Sequence, residues 1–180
     1  YTGEIKGVAG GIGEKTTNRG LNRATQSKLQ PGSSIKPLSV YAPAIEEDLI
    51  NAATKVLDAE ITIGDWSPKN SYSGYKGTIS VKRAVQISSN TAAVRVLQKL
   101  GISTSFNYLQ NKFGITTLTD RDKNLSSLAL GGLTNGVTPK EMAAAYAVFA
   151  NGGMYFEPHS YSKVVDHAGN VLLETKTQGK

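Results

Sequence analysis

The stretch Gln30-Pro31-Gly32-Ser33-Ser34-Ile35-Lys36-Pro37 decides how this chain is read. A Pro-Gly turn signal stands directly before a serine, and a lysine follows three residues later. Residues 37–50 are largely apolar with acidic residues on one side, the pattern of a helix. Two residues three apart in a helical turn share a face, with Cβ atoms about 5–6 Å apart. A lysine amine so placed can reach the serine hydroxyl. A serine nucleophile that lacks a histidine needs such a neighbour, its proton affinity lowered by burial or by other cations. A helix start at Ser33 adds backbone N–H groups able to hold an oxyanion. Ser33 is thus the candidate nucleophile and Lys36 the candidate base.

Spacing alone is a cheap signal. Ser-x-x-Lys occurs three times, at Ser33/Lys36, Ser73/Lys76 and Ser160/Lys163. The second copy sits in a Gly/Tyr/Ser-rich loop. The third opens a segment that alternates like a strand, which sends its serine and lysine to opposite faces. Only the first has a turn before it and a helix after it. Without further information, Ser33 reads as an N-cap serine and Lys36 as a solvated helix lysine.

A chain of 180 residues is one domain by size, with enough apolar content for a sizeable core. Twenty basic against fourteen acidic residues give a net charge of +6. Such an excess fits nucleic acid, an anionic surface or an acidic substrate. The lysines and arginines are scattered, with no aromatic-interleaved basic stripe, so no nucleic-acid partner is expected. The absence of cysteine removes disulfides and thiolate metal sites. The two histidines, His159 and His167, both lie in the last segment and read as turn and surface residues. A zinc site or a Ser-His-Asp triad is not expected, nor is any cofactor. No apolar run is long enough to span a bilayer, and no signal peptide is expected in these residues.

Working outward, residues 3–12 alternate weakly among small residues and predict a strand, and residues 18–30 predict a loop. Pro37 falls in the first turn of the nucleophile helix, and Pro43 should kink that helix or end its first half. A β-like run at Ile61 and Ile63 precedes a loop with Trp66, Tyr72 and Tyr75, which either line a groove or anchor the loop. Thr78 caps a predicted helix over 79–87, and a second helix over 91–100 stops at Gly101. Between them lies Ser88-Ser89-Asn90, which on its own reads as a helix cap with Asn90 as the N-cap. A second Ser-x-Asn, Ser105-Phe106-Asn107, falls within a predicted helix over 103–113. Residues 120–127 read as a polar loop. Thr138-Pro139-Lys140-Glu141 is a capping box with proline at the first helical position. The helix it opens, over 139–151, is almost all apolar and should be central and buried. Residues 161–174 predict a β-hairpin around Asp166-His167-Ala168-Gly169-Asn170.

Several stretches together resemble the class A penicillin-binding proteins, serine acyltransferases that cross-link cell-wall peptides. They are Asn22-Arg23-Ala24-Thr25-Gln26 with Gln30 to Pro37, then Trp66-Ser67-Pro68-Lys69-Asn70, then Ala84-Val85-Gln86-Ile87-Ser88-Ser89-Asn90-Thr91-Ala92-Ala93-Val94. Leu128-Ala129-Leu130-Gly131-Gly132 and Val137-Thr138-Pro139-Lys140-Glu141-Met142-Ala143-Ala144-Ala145-Tyr146 continue the likeness in the family's order over nearly the whole chain. The resemblance implies an α/β (α+β) fold of the penicillin-binding-protein and serine β-lactamase type, with helices on a mainly antiparallel sheet. It implies that residues 1–180 form part of a transpeptidase domain. Ser33 would be acylated by a D-Ala-D-Ala stem peptide or by a β-lactam, with Lys36 as base. Ser88 would relay a proton between Lys36 and the amine, which suits a hydroxyl that donates and accepts at once. Asn90 would bind the substrate's peptide carbonyl and orient Lys36. Peptidoglycan stem peptides and β-lactams are the expected partners. The parent protein is expected to be membrane-anchored outside the cytoplasm, with other cell-wall synthesis proteins as possible company.

The family's third signature, Lys-Thr-Gly or Lys-Ser-Gly, does not occur; Lys176-Thr177-Gln178-Gly179 is one insertion away. The resemblance therefore implies truncation on the C-terminal side and no preceding glycosyltransferase domain. Loss of one oxyanion donor commonly costs about 10²–10³ in rate. Poor turnover is thus expected of the 180 residues alone. A carboxypeptidase or β-lactamase on the same scaffold is the alternative activity. Glu47-Asp48-Leu49-Ile50-Asn51 has the spelling of a lactamase Glu-x-x-x-Asn but precedes Ser88, so it reads as helix surface. A non-catalytic wall-binding module is the third reading.

Overall fold

Capping residues set the helix boundaries. In chain order the regular elements are α1 (Arg23–Gln26), α2 (Ala42–Glu46), β1 (Lys55–Asp58), β2 (Gly77–Ser80), α3 (Val81–Gln86), α4 (Asn90–Leu100), α5 (Ile102–Asn107), α6 (Leu125–Leu130), α7 (Pro139–Ala147), β3 (Lys163–Val165) and β4 (Val171–Glu174). The computed structural model describes residues 2–177 and 179–180. The near-match at Lys176 to Gly179 includes Gln178, which lies outside the described residues. Asn22, Ser80, Ser89, Asn124 and Thr138 each accept an N–H of the helix they precede. Each such cap stabilises its helix by about 1 kcal/mol. The strands are antiparallel, as the expected fold class requires, and the described residues arrange them as two separate two-stranded ladders, β1–β2 and β3–β4.

The chain divides into two compact units. One comprises residues 30–110 and 117–136. Its ladder sets Lys55 opposite Ser80 and Asp58 opposite Gly77, and α4 packs on both β1 and α6. Ile35, Leu38, Leu97, Leu109, Leu128 and Leu133 are its largest fully buried side chains, each contributing about 1.5–3 kcal/mol. The two prolines shape the helix that follows Ser33. A 3₁₀ turn, Gly32–Ile35, passes into a π-helical turn, Pro37–Tyr41, closed by Ala42 N–H on the Pro37 carbonyl. The chain then resumes α-helical register in α2, with Pro43 in its first turn, where a missing N–H costs little. The kink expected at Pro43 is therefore a change of register. The helix ends at Glu46, short of residue 50, and Asp48 follows at φ 54°.

Two further boundaries in this unit differ from the sequence expectation. The β-like run lies at Lys55–Asp58 rather than at Ile61 and Ile63, and Ile63 forms only an isolated bridge with Trp66. Residues 77–80 pair as β2, so Ser80 rather than Thr78 caps α3. Strand pairing with β1 claims the residues that local propensity would have started as helix. Likewise, residues 120–127 contain a 3₁₀ turn, Asp120–Asp122, and the start of α6.

The other unit comprises the residues up to 29, 111–116 and 137 onward. Leu29 and Val137 form an antiparallel bridge, with N–O distances of 3.0 and 2.8 Å. The capping box at Thr138 and Glu141 is present with both of its reciprocal bonds. Glu141 also accepts from the Thr116 N–H and hydroxyl, so both carboxylate oxygens are used. Residues 3–12 do not form the expected strand. Among the described residues only Glu4 of this stretch makes a bridge, parallel to His159. Four glycines in ten residues lower the gain from pairing, and Val8 and Ile12 stand in solvent. α7 is not buried on all sides either: Glu141 and Ala145 are its buried residues. Ala143, Ala144 and Ala147 line a groove of about 870 Å³ with Glu4 and Phe156. The hairpin forms as expected, with Asp166 accepting from Ala168 and Asn170 N–H groups across the turn.

Candidate active site

All four candidate residues, Ser33, Lys36, Ser88 and Asn90, fall in the unit built from residues 30–110 and 117–136. Ser33 sits in the 3₁₀ turn that opens the core helix. That turn is held from behind by the end of α6. Gly131 caps α6 in the left-handed region, at φ 77°, and its carbonyl accepts the Gly32 N–H at 3.3 Å. A Cβ at Gly131 would run into the Gly32 backbone. Glycine is required here both for the backbone angle and for the close approach. The Ser33 side chain is exposed, and its hydroxyl has no hydrogen-bond partner among the described residues.

One turn later Lys36 is buried at 2 % exposure, a rare place for a lysine without a carboxylate. Its Nζ donates to the Ser88 carbonyl at 2.8 Å, to Ser88 Oγ at 3.0 Å and to Asn90 Oδ1 at 2.5 Å. Burial lowers its pKa from the ordinary 10.5 to about 8. The direct Ser33–Lys36 pairing that the spacing allows is absent from the described contacts. Three oxygens already satisfy the three N–H bonds of the ammonium.

The Ser88–Asn90 corner joins α3 to α4. Ser88 takes φ 53°, a left-handed conformation that costs a non-glycine residue energy and turns its carbonyl and hydroxyl toward Lys36. Ser89, not Asn90, is the N-cap of α4, and Asn90 is its first residue. Asn90 is not spent on capping, so its Oδ1 is available to Lys36, while its Nδ2 donates to the Lys69 carbonyl at 2.6 Å. The second Ser-x-Asn behaves as expected, with Ser105 buried in α5 and donating to the Ser39 carbonyl. Glu47 likewise stays on the helix surface, accepting from Tyr108.

Sequence reasoning overlooked Asp58 and gave Asn70 no role. Asn70 Oδ1 accepts the Asn90 N–H at 2.8 Å, and Asp58 lies behind both. The one signal available was a lone acid at an inward position of a β-like run. Among the described residues no group of three or more acidic or histidine side chains could hold a metal.

The mixed helices, antiparallel ladders and Ser-x-x-Lys turn facing a Ser-x-Asn corner define a penicillin-binding protein transpeptidase fold. The sequence matches the family described as "Penicillin binding protein transpeptidase domain" over residues 2–180, and the chain belongs to that family. It is 41% identical over 190 residues to Penicillin-binding protein 1A of Clostridium botulinum, covering 100% of this chain and 23% of that protein. To Penicillin-binding protein 1F of Bacillus subtilis it is 37% identical, covering 99% of this chain and 24% of that one. It is similar in structure to Penicillin-Binding Protein 1A from Haemophilus influenzae, with a TM-score of 0.75 at 36% identity over 89% of this chain and 24% of that one. PonA1 from Mycobacterium tuberculosis, solved in complex with penicillin V, gives a TM-score of 0.76 at 28% identity over 87% of this chain and 43% of that one. The chain thus spans about a quarter of the length of the curated relatives it matches.

Proposed function

We propose that this chain carries the acylation machinery of a peptidoglycan DD-transpeptidase, with Ser33 as nucleophile, Lys36 as base, Ser88 as relay and Asn90 as substrate anchor. The observation that supports it is the buried Lys36 amine, held on Ser88 and Asn90 one turn past an exposed serine. Neutral Lys36 has two N–H bonds and one lone pair. The Ser88 carbonyl and Asn90 Oδ1 can only accept, so they take both hydrogens. The lone pair then faces Ser88 Oγ, whose own proton points at it. Ser88 Oγ keeps its own lone pairs for the Ser33 proton, and the relay runs from Ser33 through Ser88 to Lys36.

Ser33 Oγ attacks the penultimate D-Ala carbonyl, and the carbon–nitrogen bond to the terminal D-Ala breaks. The departing amine takes the proton back through Ser88. An amine of a neighbouring stem peptide then attacks the acyl-enzyme, loses its proton by the same route and restores Ser33. The second Nδ2 hydrogen of Asn90 remains for the substrate's peptide carbonyl. A β-lactam follows the first step only, because its leaving nitrogen stays tethered. No helix among the described residues is long and apolar enough to cross a membrane. Extracytoplasmic placement, with an anchor elsewhere in the parent protein, belongs to the same proposal.

The test is prolonged incubation with a fluorescent penicillin, read by intact mass. A stable single adduct at Ser33, absent in Ser33→Ala, is expected. Labelling that persists in Ser33→Ala would sink the assignment, and rapid loss of label would favour a lactamase. A pH profile rising through about 8 is expected for the acylation rate, as Lys36 loses its proton.

A further inference from the structure

Asp58, at the end of β1, is fully buried. It is also absent from the ion pairs among the described residues. Neutral groups hold it instead. Its Oδ1 accepts from Asn70 Nδ2 at 2.7 Å, Ser89 Oγ at 3.0 Å and Thr91 Oγ1 at 2.6 Å. Its Oδ2 accepts from the Tyr72 hydroxyl at 2.7 Å and the Lys76 N–H at 2.8 Å. Burial pushes its pKa up, but the bonds from Thr91, Tyr72, Asn70 and Lys76 outweigh that and hold it at about 2.

Three of these partners lead to one place. Because Asn70 gives its Nδ2 to Asp58, its Oδ1 must face the Asn90 N–H. Because Ser89 gives its hydroxyl proton to Asp58, its lone pair is left for the Ala92 N–H, the cap of α4. Thr91, in the first turn of α4, is tied down directly. We infer that Asp58 is a positioning residue that, through Asn70, Ser89 and Thr91, fixes the start of α4 and with it the oxygens around the Lys36 amine. Its effect is geometric. Burial lowers the Lys36 pKa, so the corner acts on the amine by keeping water from it. The inference rests on the reading of Lys36 as the base.

The test is the titration of the Lys36 side chain, followed by NMR of its ε-carbon and assigned by its loss in Lys36→Arg. Asp58→Asn sets an amide against donors, loosens the corner and lets water reach the amine. Lys36 proton affinity should then rise about tenfold, one pKa unit. Ser89→Ala should move it the same way by less. Asp122→Asn is the control. Asp122 is equally buried and holds Thr119 and Thr134 by four bonds, away from the corner. It should lower the melting temperature and leave the Lys36 titration in place. An unmoved titration in Asp58→Asn, or an equal movement in Asp122→Asn, overturns the inference. If Asp58→Asn does not fold, Ser89→Ala decides alone. Penicillin labelling of the unmodified chain separates the two claims. No label with a moved titration refutes the catalytic reading and keeps the positioning role; label with an unmoved titration does the reverse.

Discussion

β1–β2 and β3–β4 are both short antiparallel ladders, yet β1 ends in a buried carboxylate under α4 whereas β4 stands in water along its whole length. In the second ladder Val165, Val171, Leu172 and Leu173 are about half exposed. An isolated pair of strands is marginal in water. The second ladder is held by its turn, where Gly169 takes φ 86° and Asp166 accepts from Ala168 and Asn170. Bonds from Thr175 to Tyr161 and Ser162 close its open end. Antiparallel pairing, regular in β1–β2 and shifted in register between Val164 and Val165 in β3–β4, thus gives a covered platform in one case and a bare hairpin in the other. What covers a ladder, and not its register, decides whether it can carry chemistry.

The largest effect should come from removing the cover of the first ladder. Leu97→Ala in α4 should cost about 2–5 kcal/mol, measured by denaturant unfolding; a cost under about 1 kcal/mol would mean that α4 is not what holds β1. Gly131→Ala comes next, at about 1–3 kcal/mol, because its Cβ meets the Gly32 backbone and its φ is left-handed. That variant should also slow acylation at Ser33 beyond its loss of folded protein.

Acid sharpens the contrast between the ladders. The folded pKa of Asp58, about 2, lies below its ordinary 3.8, so the stability it contributes is whole above the ordinary value and is lost as pH falls through the folded one. Amide exchange in β1 should accelerate over that window, and Asp58→Asn should abolish the step. The smallest effect belongs to the second ladder. Leu172→Ser should change stability by less than about 0.5 kcal/mol, since its side chain is already in solvent. A larger loss would show that the hairpin is covered in solution.

Three boundaries were legible because their causes are local. Thr138 and Glu141 read as a capping box, Gly101 as a stop, and Asp166 to Asn170 as a turn, and each is found as read. The misreadings have a common cause. Residues 77–80 became strand because β1 was there to pair with, and residues 3–12 stayed irregular because only His159 bridges them. α7 looked buried because its residues are apolar, but alanines carry little area with which to recruit cover.

The sequence by itself determined the Ser-x-x-Lys turn, the Ser-x-Asn corner and the family, because each is a spacing along the chain. Only the tertiary structure decided that Lys36 turns to Ser88 and Asn90 rather than to Ser33, and that Asp58 stands behind them. Those contacts join residues 12 to 54 positions apart. Which oxygen meets a buried amine depends on how strands and helices close around it, and no local pattern carries that information.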